Sequence, residues 1–333
     1  MTATLLEVKG LKLHFPVHGG ILYRRVGTVY AVDGVSLDVK AGETVGLVGE
    51  SGCGKSTLGK AILRLYDPTD GQVMFEGRDL AHVHGKELRT LRKDLGIIFQ
   101  DPYESLNQTH TVGFIVQEPF LIHGVGTPEE RRVWAKDLLK KVGLPESAFD
   151  RYPHEFSGGQ RQRIGIARAI ALKPKLVVCD EPVSALDVSI QSQIINLLIQ
   201  LQREMGMAYV FIAHDLAVVK HVSDRVAVMY LGKVVEFADS DELHHKPLHP
   251  YTQALLASIP EPDPSRSVED KPVLEGEVPS PRNPPPGCRF HTRCPFAQPK
   301  CRTDVPELKP GPGVSPEHLV ACHYAGELTA KSA

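Results

Sequence analysis

An apolar strand, a glycine-rich turn and the start of a helix follow one another near residue 50, and this combination constrains the fold more than any other segment. The turn follows the strand-like run 43–48 and reads Gly49, Glu50, Ser51, Gly52, Cys53, Gly54, Lys55, Ser56 and Thr57. Its glycines let consecutive backbone N–H groups wrap around phosphate, and a helix N-terminus adds partial positive charge. Lys55 is predicted to reach the β- and γ-phosphates of a nucleotide, and Ser56 to ligate Mg²⁺. A chance glycine-rich turn is the alternative, but the complete GxxxxGK[ST] pattern after an apolar run favours the phosphate loop.

Length and charge limit the classes of protein to which the chain can belong. Its 333 residues allow one large domain, or one domain with an appendage. Lys and Arg (38) nearly balance Asp and Glu (40), so there is no basic footprint for nucleic acid. No run of about 18 uncharged apolar residues predicts a membrane span, and residues 1–7 lack the layout of a signal peptide. We therefore expect a cytosolic chain that reaches a membrane only through a partner.

The period of the apolar residues changes twice along the chain. Residues 5–47 alternate in the manner of β-strands, with a loop or hairpin expected between His18 and Thr28, and 95–100 reads as an apolar strand ending in Gln100. Residues 112–172 have a helical period. The helix predicted at 129–142 is amphipathic, and its apolar side comprises Val133, Trp134, Leu138, Leu139 and Val142.

Buried strands return after the helical region. Residues 176–180 and 208–213 are almost continuously apolar, and a helix is predicted between them around 190–205. Such strands are typical of a parallel sheet that is covered on both faces. The predicted fold class is therefore α/β, with a helical insertion.

Two carboxylates follow the strand 176–180. Asp180 and Glu181 lie at its carboxyl end, where open α/β sheets bind ligands. Because side chains alternate along a strand, we assign Asp180 to Mg²⁺ and Glu181 to the attacking water as general base. A solvated pair at a strand end is the alternative, and the phosphate loop makes it the weaker one.

Gln100 and His214 also follow apolar strands and extend this predicted catalytic group. Gln100 could touch Mg²⁺ or the water and report the nucleotide state to residues 101–107. A neutral His214 imidazole could hydrogen-bond the γ-phosphate and orient Glu181. A lone strand-end histidine is more often structural, but its place among the other motifs favours the catalytic interpretation.

A second anion-binding turn occurs about a hundred residues after the first, and it comprises Phe156, Ser157, Gly158, Gly159 and Gln160. Ser157 is predicted to cap a helix that begins near Gln160, which would expose N–H groups at the helix N-terminus. Because a helical insertion separates this turn from the chain's own γ-phosphate, we expect it to serve a neighbouring copy. Residues 184–187, ending in Asp187, would then line the seam of a dimer that sandwiches ATP.

Taken in order, these motifs resemble those of the ATP-binding cassette (ABC) superfamily. The correspondence covers the Walker A loop (49–57), the Q-loop (Gln100), the signature (156–160), Walker B (176–180), the catalytic Glu181, the D-loop (184–187) and the H-loop (His214). Phe156 departs from the commoner leucine of the signature. The resemblance implies a P-loop NTPase cassette over 5–258, with a RecA-like core, an antiparallel β subdomain and a helical subdomain at about 103–172.

A narrower resemblance is to the ATPase subunits of bacterial dipeptide and oligopeptide importers, of the second or F type. It rests on segments 99–107, 180–189 and 249–256. It implies an ATP-hydrolysing subunit at the cytoplasmic face of the inner membrane, with a paralogous ATPase or a second copy, two permeases and an extracytoplasmic binding protein. Residues 101–107 would face a permease, and an aromatic residue, Tyr30 in preference to Tyr23, would stack on adenine. The alternatives are a nickel or oligosaccharide importer and, less favoured, a soluble cassette ATPase acting on nucleic acid or ribosomes.

The C-terminal part has a different composition. Nine prolines fall between Pro260 and Gly287, which predicts an extended linker over 259–287 before a cysteine-rich extension over 288–325. The spacing C-x5-C-x6-C-x20-C matches neither a short zinc knuckle nor the common ferredoxin run, and disulfides are disfavoured in a reducing cytosol. The cysteines concerned are Cys288, Cys294, Cys301 and Cys322. The family resemblance implies a [4Fe–4S] cluster at these positions, with Zn²⁺ as runner-up and uncoordinated thiols as the remaining alternative. Cys53 and Cys179 are interpreted as small buried hydrophobes.

Overall fold

The computed structural model describes residues 3–20, 24–259 and 276–327. Tyr23 and most of the predicted proline-rich linker lie outside these ranges. The chain divides into two compact units. The first comprises Val39–Thr44 and His82–Ile212 with the start of the chain, and the second comprises Leu6–Asp38, Val45–Ala81 and the described residues from Ala213 onward.

Strands and helices alternate through most of the chain. The strands are β1 (Thr4–Gly19), β2 (Arg24–Lys40), β3 (Thr44–Val48), β4 (Asp70–Phe75), β5 (Arg78–Asp79), β6 (Leu95–Ile98), β7 (Leu176–Asp180), β8 (Ala208–Ile212), β9 (Arg225–Tyr230), β10 (Lys233–Asp239), β11 (Lys309–Pro310) and β12 (Leu319–Val320). The α-helices are α1 (Lys55–Ile62), α2 (Gly85–Leu91), α3 (Val112–His123), α4 (Pro128–Lys141), α5 (Gly158–Ala169), α6 (Val188–Met205), α7 (Leu216–Val222), α8 (Ser240–His245), α9 (Pro250–Ala257) and α10 (Pro299–Thr303). Two 3-10 helices, Glu146–Asp150 and Pro153–Glu155, precede α5.

In the first unit, β6, β7 and β8 form a parallel sheet in which β7 is central. Every residue of β7 and β8 is buried, which explains why both strands are apolar along their whole length. Ile98 of β6 pairs with Cys179 of β7, so the carboxyl ends of these strands lie at the same edge. The predicted α/β class and the parallel strands are confirmed.

The helical part of the first unit consists of α3, α4 and α5, which pack on one another. Thr127 and Glu130 form a capping box that starts α4, and the helix buries Ala135 and Leu139. Val133 is 57% exposed, so its predicted place on the apolar side of this helix is wrong. The covered face carries Ala135 and Leu139, and Trp134 beside them packs on Phe120 of α3 with the ring centroids 5.2 Å apart.

The second unit contains two sheets. The antiparallel sheet has the order β2-β1-β4-β5, and the expected hairpin near residues 18–28 is mostly strand, because β1 continues to Gly19 and β2 begins at Arg24. In the other sheet β3 runs parallel to β9, while β10 runs antiparallel to both β9 and β12. The short strand β11 pairs with β12. The C-terminal extension therefore adds two strands to a sheet of the same unit.

None of the helices in the described ranges combines the length and apolar composition needed to cross a bilayer.

Candidate functional site

The glycines of the phosphate loop hold conformations and positions that a side chain could not share. Gly49 has φ +149° and Gly54 has φ +106°, in the region that L residues rarely adopt. A Cβ on Gly49 would lie 2.1 Å from the carbonyl oxygen of Met229, and one on Gly54 would lie 2.1 Å from that of Ala31. The loop follows β3 directly and leads directly into α1, so the predicted strand, loop and helix are confirmed.

Lys55 directs its ammonium group into this loop. Nζ donates hydrogen bonds to the carbonyl oxygens of Gly49 at 2.7 Å and Glu50 at 3.1 Å, and the residue is only 4% exposed. Ser56 and Thr57 lie in the first turn of α1, where backbone N–H groups have no intrahelical acceptor. A buried ammonium next to a helix N-terminus is suited to binding phosphate oxygens.

The predicted catalytic carboxylates lie at the carboxyl end of the central strand β7. Asp180 is the last residue of the strand and is buried, and Glu181 follows it. Gln100 lies just beyond the end of β6, and its Nε2 donates a hydrogen bond to Glu181 Oε2 at 2.9 Å. The structure thus brings together two residues that are 81 positions apart and that the sequence assigned to one reaction.

The backbone of Glu181 is held in an unusual conformation. Its φ is +43°, which for a non-glycine residue costs about 1–3 kcal/mol. Its N–H donates to the carbonyl of Ile212 at 3.1 Å, and its own carbonyl accepts bonds from the Ser184 N–H at 3.3 Å and Oγ at 3.1 Å. These bonds on both sides fix the direction of the Glu181 side chain at the strand end.

The signature turn forms the start of α5, as predicted. Ser157 Oγ accepts a hydrogen bond from the Gln160 N–H at 3.4 Å, and Gln160 Oε1 accepts one from the Ser157 N–H at 3.0 Å. This capping box satisfies two backbone donors reciprocally and fixes the first turn of the helix. Phe156 is buried beneath Arg151, whose guanidinium lies 4.5 Å from the ring centroid, so the departure from leucine is accommodated by packing.

The glycines of the signature allow the D-loop and α6 to approach closely. A Cβ on Gly159 would lie 2.5 Å from Ile190 Cγ2, and one on Gly158 would lie 3.4 Å from Leu186 Cδ2. Asp187 occupies the N-cap position of α6 and is exposed. The structure therefore places the signature and the D-loop against each other within the first unit.

His214 belongs to the second unit and follows Ala213, whose N–H donates to the carbonyl of Leu47 at 3.2 Å. It is exposed, and the next residue, Asp215, caps α7 through a bond to the Ala217 N–H at 2.8 Å. The imidazole is thus presented from a fixed junction between a strand and a helix.

Tyr30, the predicted adenine-stacking residue, lies on β2 and is half-buried. Its ring meets the His14 ring edge to face at 4.7 Å, and its N–H donates to the carbonyl of Pro281 at 3.0 Å. The next residue, Ala31, borders Gly54 of the phosphate loop. Contact with adenine stays a prediction for Tyr30, and the alternative Tyr23 lies outside the described residues.

The four cysteines of the extension line one small cavity together with Phe290. All four are free thiols, and burial raises the pKa of Cys288 and raises those of Cys294 and Cys322 to about 11. In the described part of the chain, no group of three or more His, Cys, Asp or Glu residues is arranged to hold a metal ion. The prediction of a [4Fe–4S] cluster or of Zn²⁺ at Cys288, Cys294, Cys301 and Cys322 is therefore not supported by the structure.

The two remaining cysteines behave as predicted. Cys53 and Cys179 are 2% and 0% exposed, and burial raises the pKa of both thiols. They are small buried residues that remain protonated.

Sequence reasoning missed the partners of Glu50, the second residue of the phosphate loop. The Glu50 N–H donates to Tyr251 Oη at 2.8 Å, and its carboxylate accepts two hydrogen bonds from Arg293. Tyr251 lies in segment 249–256, which carries the family resemblance, but the sequence alone assigned no role to this residue. No local pattern marks Arg293, because its partner lies 243 residues away.

Comparison with known proteins agrees with this site. Residues 32–184 match the family described as "ABC transporter", and residues 235–301 match the one described as "Oligopeptide/dipeptide transporter, C-terminal region". Among solved structures, a dimeric ATP-binding cassette in a post-hydrolysis state bound to ADP and phosphate is 31% identical, with a TM-score of 0.63 over 71% of this chain and 98% of that one. The fold is thus that of an ABC ATPase cassette, with mixed sheets and helices.

Curated relatives match over nearly the full length. The oligopeptide transport ATP-binding protein AppF of Bacillus subtilis is 55% identical over 96% of this chain and 97% of its own. The oligopeptide transport ATP-binding protein OppF of Salmonella typhimurium is 54% identical over 96% of this chain and 95% of its own. The chain belongs to the oligopeptide transport ATP-binding proteins of the ABC transporter family.

Proposed function

We propose that this chain hydrolyses ATP to power the import of dipeptides or oligopeptides across the cytoplasmic membrane. The observation that carries the enzymatic part is the Glu181 carboxylate, held at the carboxyl end of a buried strand by Gln100. The buried ammonium of Lys55 inside the phosphate loop supports the same reaction. The family and the printed names of its members support peptides as the transported solute.

Each side chain of the site has a distinct task in this proposal. Lys55 and the N–H groups of residues 49–57 bind the phosphates, and Ser56, Gln100 and Asp180 would hold Mg²⁺. When bound, Mg²⁺ neutralises charge on the β- and γ-phosphate oxygens. Glu181 accepts a proton from the attacking water, and His214 hydrogen-bonds the γ-phosphate.

The signature turn is proposed to serve the nucleotide of a second ATPase subunit. The residues concerned are Ser157, Gly158, Gly159, Gln160 and Asp187. The support is the exposed start of α5, where the capping box orders the N-terminal N–H groups. A similar cassette of known structure is dimeric with ADP and phosphate bound. The second subunit is either a copy of this chain or a paralogous ATPase.

The remaining partners follow from the family. We propose two membrane permeases and an extracytoplasmic solute-binding protein, with this chain bound peripherally at the cytoplasmic face. Copurification of the full chain from membranes, followed by transport assays in proteoliposomes, tests this. Uptake of peptides supports the proposal, whereas uptake of nickel or oligosaccharides alone contradicts the assigned solute.

The catalytic assignment is tested by Glu181→Gln, which keeps the size and hydrogen-bonding ability of the side chain but cannot accept the proton. We expect MgATP to bind with unchanged affinity while hydrolysis falls by about 10²–10⁴-fold, the usual contribution of a general base. Glu129→Gln, at an exposed position of α4, is the matched control and should keep full turnover. Unchanged steady-state hydrolysis by Glu181→Gln would show that another group activates the water.

A [4Fe–4S] cluster at the four tail cysteines is a hypothesis that comes from the family resemblance, and the lining of one cavity by all four cysteines is compatible with it. A four-iron cluster spans more space than a single ion and takes four thiolates. Iron, sulfide and zinc analysis of anaerobically purified full chain decides the matter. Iron with equal sulfide supports the cluster, and a metal-free chain with four alkylatable thiols contradicts it.

A further inference from the structure

The cysteine-rich extension reaches back to the phosphate loop through one arginine. Arg293, next to Cys294, places its guanidinium against the carboxylate of Glu50. Nη1 lies 2.7 Å from Oε2 and Nη2 lies 3.0 Å from Oε1, which is the bidentate geometry of a strong charge-assisted pair. The Arg293 side chain is 5% exposed and that of Glu50 is 25% exposed, so water screens this pair less than an ordinary surface ion pair.

The segment that carries Arg293 is well anchored. The Cys288 N–H donates to the carbonyl of Cys301 at 2.9 Å, and the Arg293 N–H donates to that of Phe290 at 3.0 Å. The hydrogen bonds that the guanidinium donates to Glu50 raise the pKa of Arg293. The cation is therefore presented to the loop by a folded turn.

A second arginine of the same turn makes a parallel contact. Arg289 donates hydrogen bonds to the carboxylate of Asp33 and to the carbonyl of Leu231. Lys233 also lies 3.7 Å from the Asp33 carboxylate. Since Asp33 lies on β2 two residues after Ala31, the turn contacts both the loop and the strand that borders it.

Glu50 in turn is linked to the lysine that is predicted to bind phosphate. Its carbonyl accepts a hydrogen bond from Lys55 Nζ at 3.1 Å, and its N–H donates to Tyr251 Oη at 2.8 Å. Carboxylate, carbonyl and N–H of this one residue are therefore all engaged. A displacement of the Glu50 side chain changes the backbone that orders the loop.

We propose that Arg293 is a positioning residue of the ATP site: by clamping Glu50, it holds the phosphate loop in the geometry that receives MgATP. The cysteine-rich extension is then a structural part of the nucleotide site as well as a C-terminal appendage. This inference rests on the proposed assignment of residues 49–57 as the ATP phosphate loop.

The experiment compares MgATP binding by full-length wild type, Arg293→Met and Arg293→Lys. We expect Arg293→Met to raise both Kd and KM for MgATP about tenfold, the size expected when charge-assisted hydrogen bonds are removed, with kcat little changed. Arg293→Lys should recover part of the affinity, because lysine supplies the charge without the bidentate fork. Arg302→Met, at an exposed position of α10, is the matched control and should bind MgATP like wild type.

A purely structural role would give a different pattern. If Arg293→Met lowers the unfolding temperature of the nucleotide-free chain but leaves Kd for MgATP unchanged, the positioning role is overturned. Glu50→Gln provides a second route to the same loss, should Arg293→Met fold poorly. The double variant, Glu50→Gln with Arg293→Met, should weaken MgATP binding by less than the sum of the two single effects on the binding free energy. Additive effects would show that the two residues act separately.

Lys55→Ala separates the two proposals. If it abolishes MgATP binding while Arg293→Met has no effect, only the clamp fails. If Lys55→Ala also leaves binding unchanged, the assignment of the phosphate loop fails, and the clamp fails with it.

Discussion

Single residues of the site owe their geometry to partners that lie far away in the sequence. Glu181 holds φ +43° because bonds to Ile212 and Ser184 fix its backbone, and Gln100 holds its carboxylate. The backbone of Glu50 is fixed in the same manner, because its own N–H donates a hydrogen bond to Tyr251 Oη. The chemistry of a residue here depends on what its backbone is bonded to as much as on its side chain.

Tyr251→Phe tests the bond to the phosphate loop. The ring is fully buried, burial raises the pKa of the phenol, and removing Oη leaves the Glu50 N–H without this acceptor. We expect the free energy of unfolding to fall by about 1–3 kcal/mol and the affinity for MgATP to fall severalfold. The control is Tyr209→Phe, which removes a bond to the Leu198 carbonyl and should lower stability without changing MgATP affinity. Equal Kd values for MgATP in the Tyr251→Phe and Tyr209→Phe variants would argue against a role for Tyr251 at the phosphate loop.

Among the elements, α5 and α6 together form the surface that is predicted to bind a second anion. The capping box of Ser157 and Gln160 orders the first turn of α5, and Gly159 allows Ile190 of α6 to pack against it. The packing of α6 against α5 sets the direction of the exposed start of α5, and the local sequence encodes this packing only in part. This arrangement leaves the N-terminal N–H groups of α5 available to an anion.

Ser157→Arg tests whether that anion is a neighbour's nucleotide. The bulky cation replaces the cap and blocks the helix start, so we expect loss of hydrolysis at the partner subunit's phosphate loop and retention of nucleotide at residues 49–57 of the same chain. Nucleotide trapped during turnover of the assembled complex, located in each chain by photo-crosslinking and peptide mapping, measures this. Ser192→Arg, at an exposed position of α6, is the control and should label both loops. Labelling lost only from the mutated chain's own loop would contradict the sharing of sites.

On the scale of the whole molecule, the C-terminal extension is integrated with the second unit. Strand β12 pairs with β10, and His318 Nε2 lies 2.8 Å from Glu236 Oε1 with both side chains fully buried. The other carboxylate oxygen of Glu236 accepts the His249 N–H at 3.0 Å. A buried carboxyl group costs free energy unless hydrogen bonds compensate it, so removing the extension would leave Glu236 without its His318 partner.

His249 makes this stability depend on pH. Burial lowers the pKa of His249 to about 4, although Glu236 favours its protonation, against an ordinary value of 6.5. The folded state therefore binds fewer protons than the unfolded state, and the stability that is fully present above pH 6.5 is lost as the pH falls toward and through 4. The contribution is on the order of 3 kcal/mol.

His249→Asn removes this titration but keeps a side chain able to cap α9, where His249 Nδ1 accepts the Tyr251 N–H at 3.1 Å. We expect denaturant midpoints of the variant to decline less steeply than those of wild type between pH 6.5 and 4. His245→Asn, at an exposed position, should keep the wild-type slope. Parallel slopes for His249→Asn and wild type would rule out His249 as the source.

Local sequence predicted those parts of the fold that local physics decides. The glycines at 49 and 54, the apolar run of β7 and the cap at Ser157 each act within a few residues, so their pattern is visible without the fold. Val133 lies six residues before Leu139, which places it about 120° away around the helix, and it is exposed whereas Leu139 is buried. Periodicity specifies which residues share a face of a helix, and only packing decides how wide the covered face is.

By itself, the sequence determined the phosphate loop, the order of the cassette motifs, the α/β class and the family, because each is encoded in short, contiguous patterns. Only the tertiary structure shows that Gln100 hydrogen-bonds to Glu181 and that Arg293 hydrogen-bonds to Glu50, which lies 243 residues away in the sequence. Such contacts depend on where the folded chain places two distant segments, and neither segment has a sequence pattern that identifies the other as its partner. The same reason explains why the cysteine spacing could suggest a metal, whereas only the folded extension shows how its thiols are arranged.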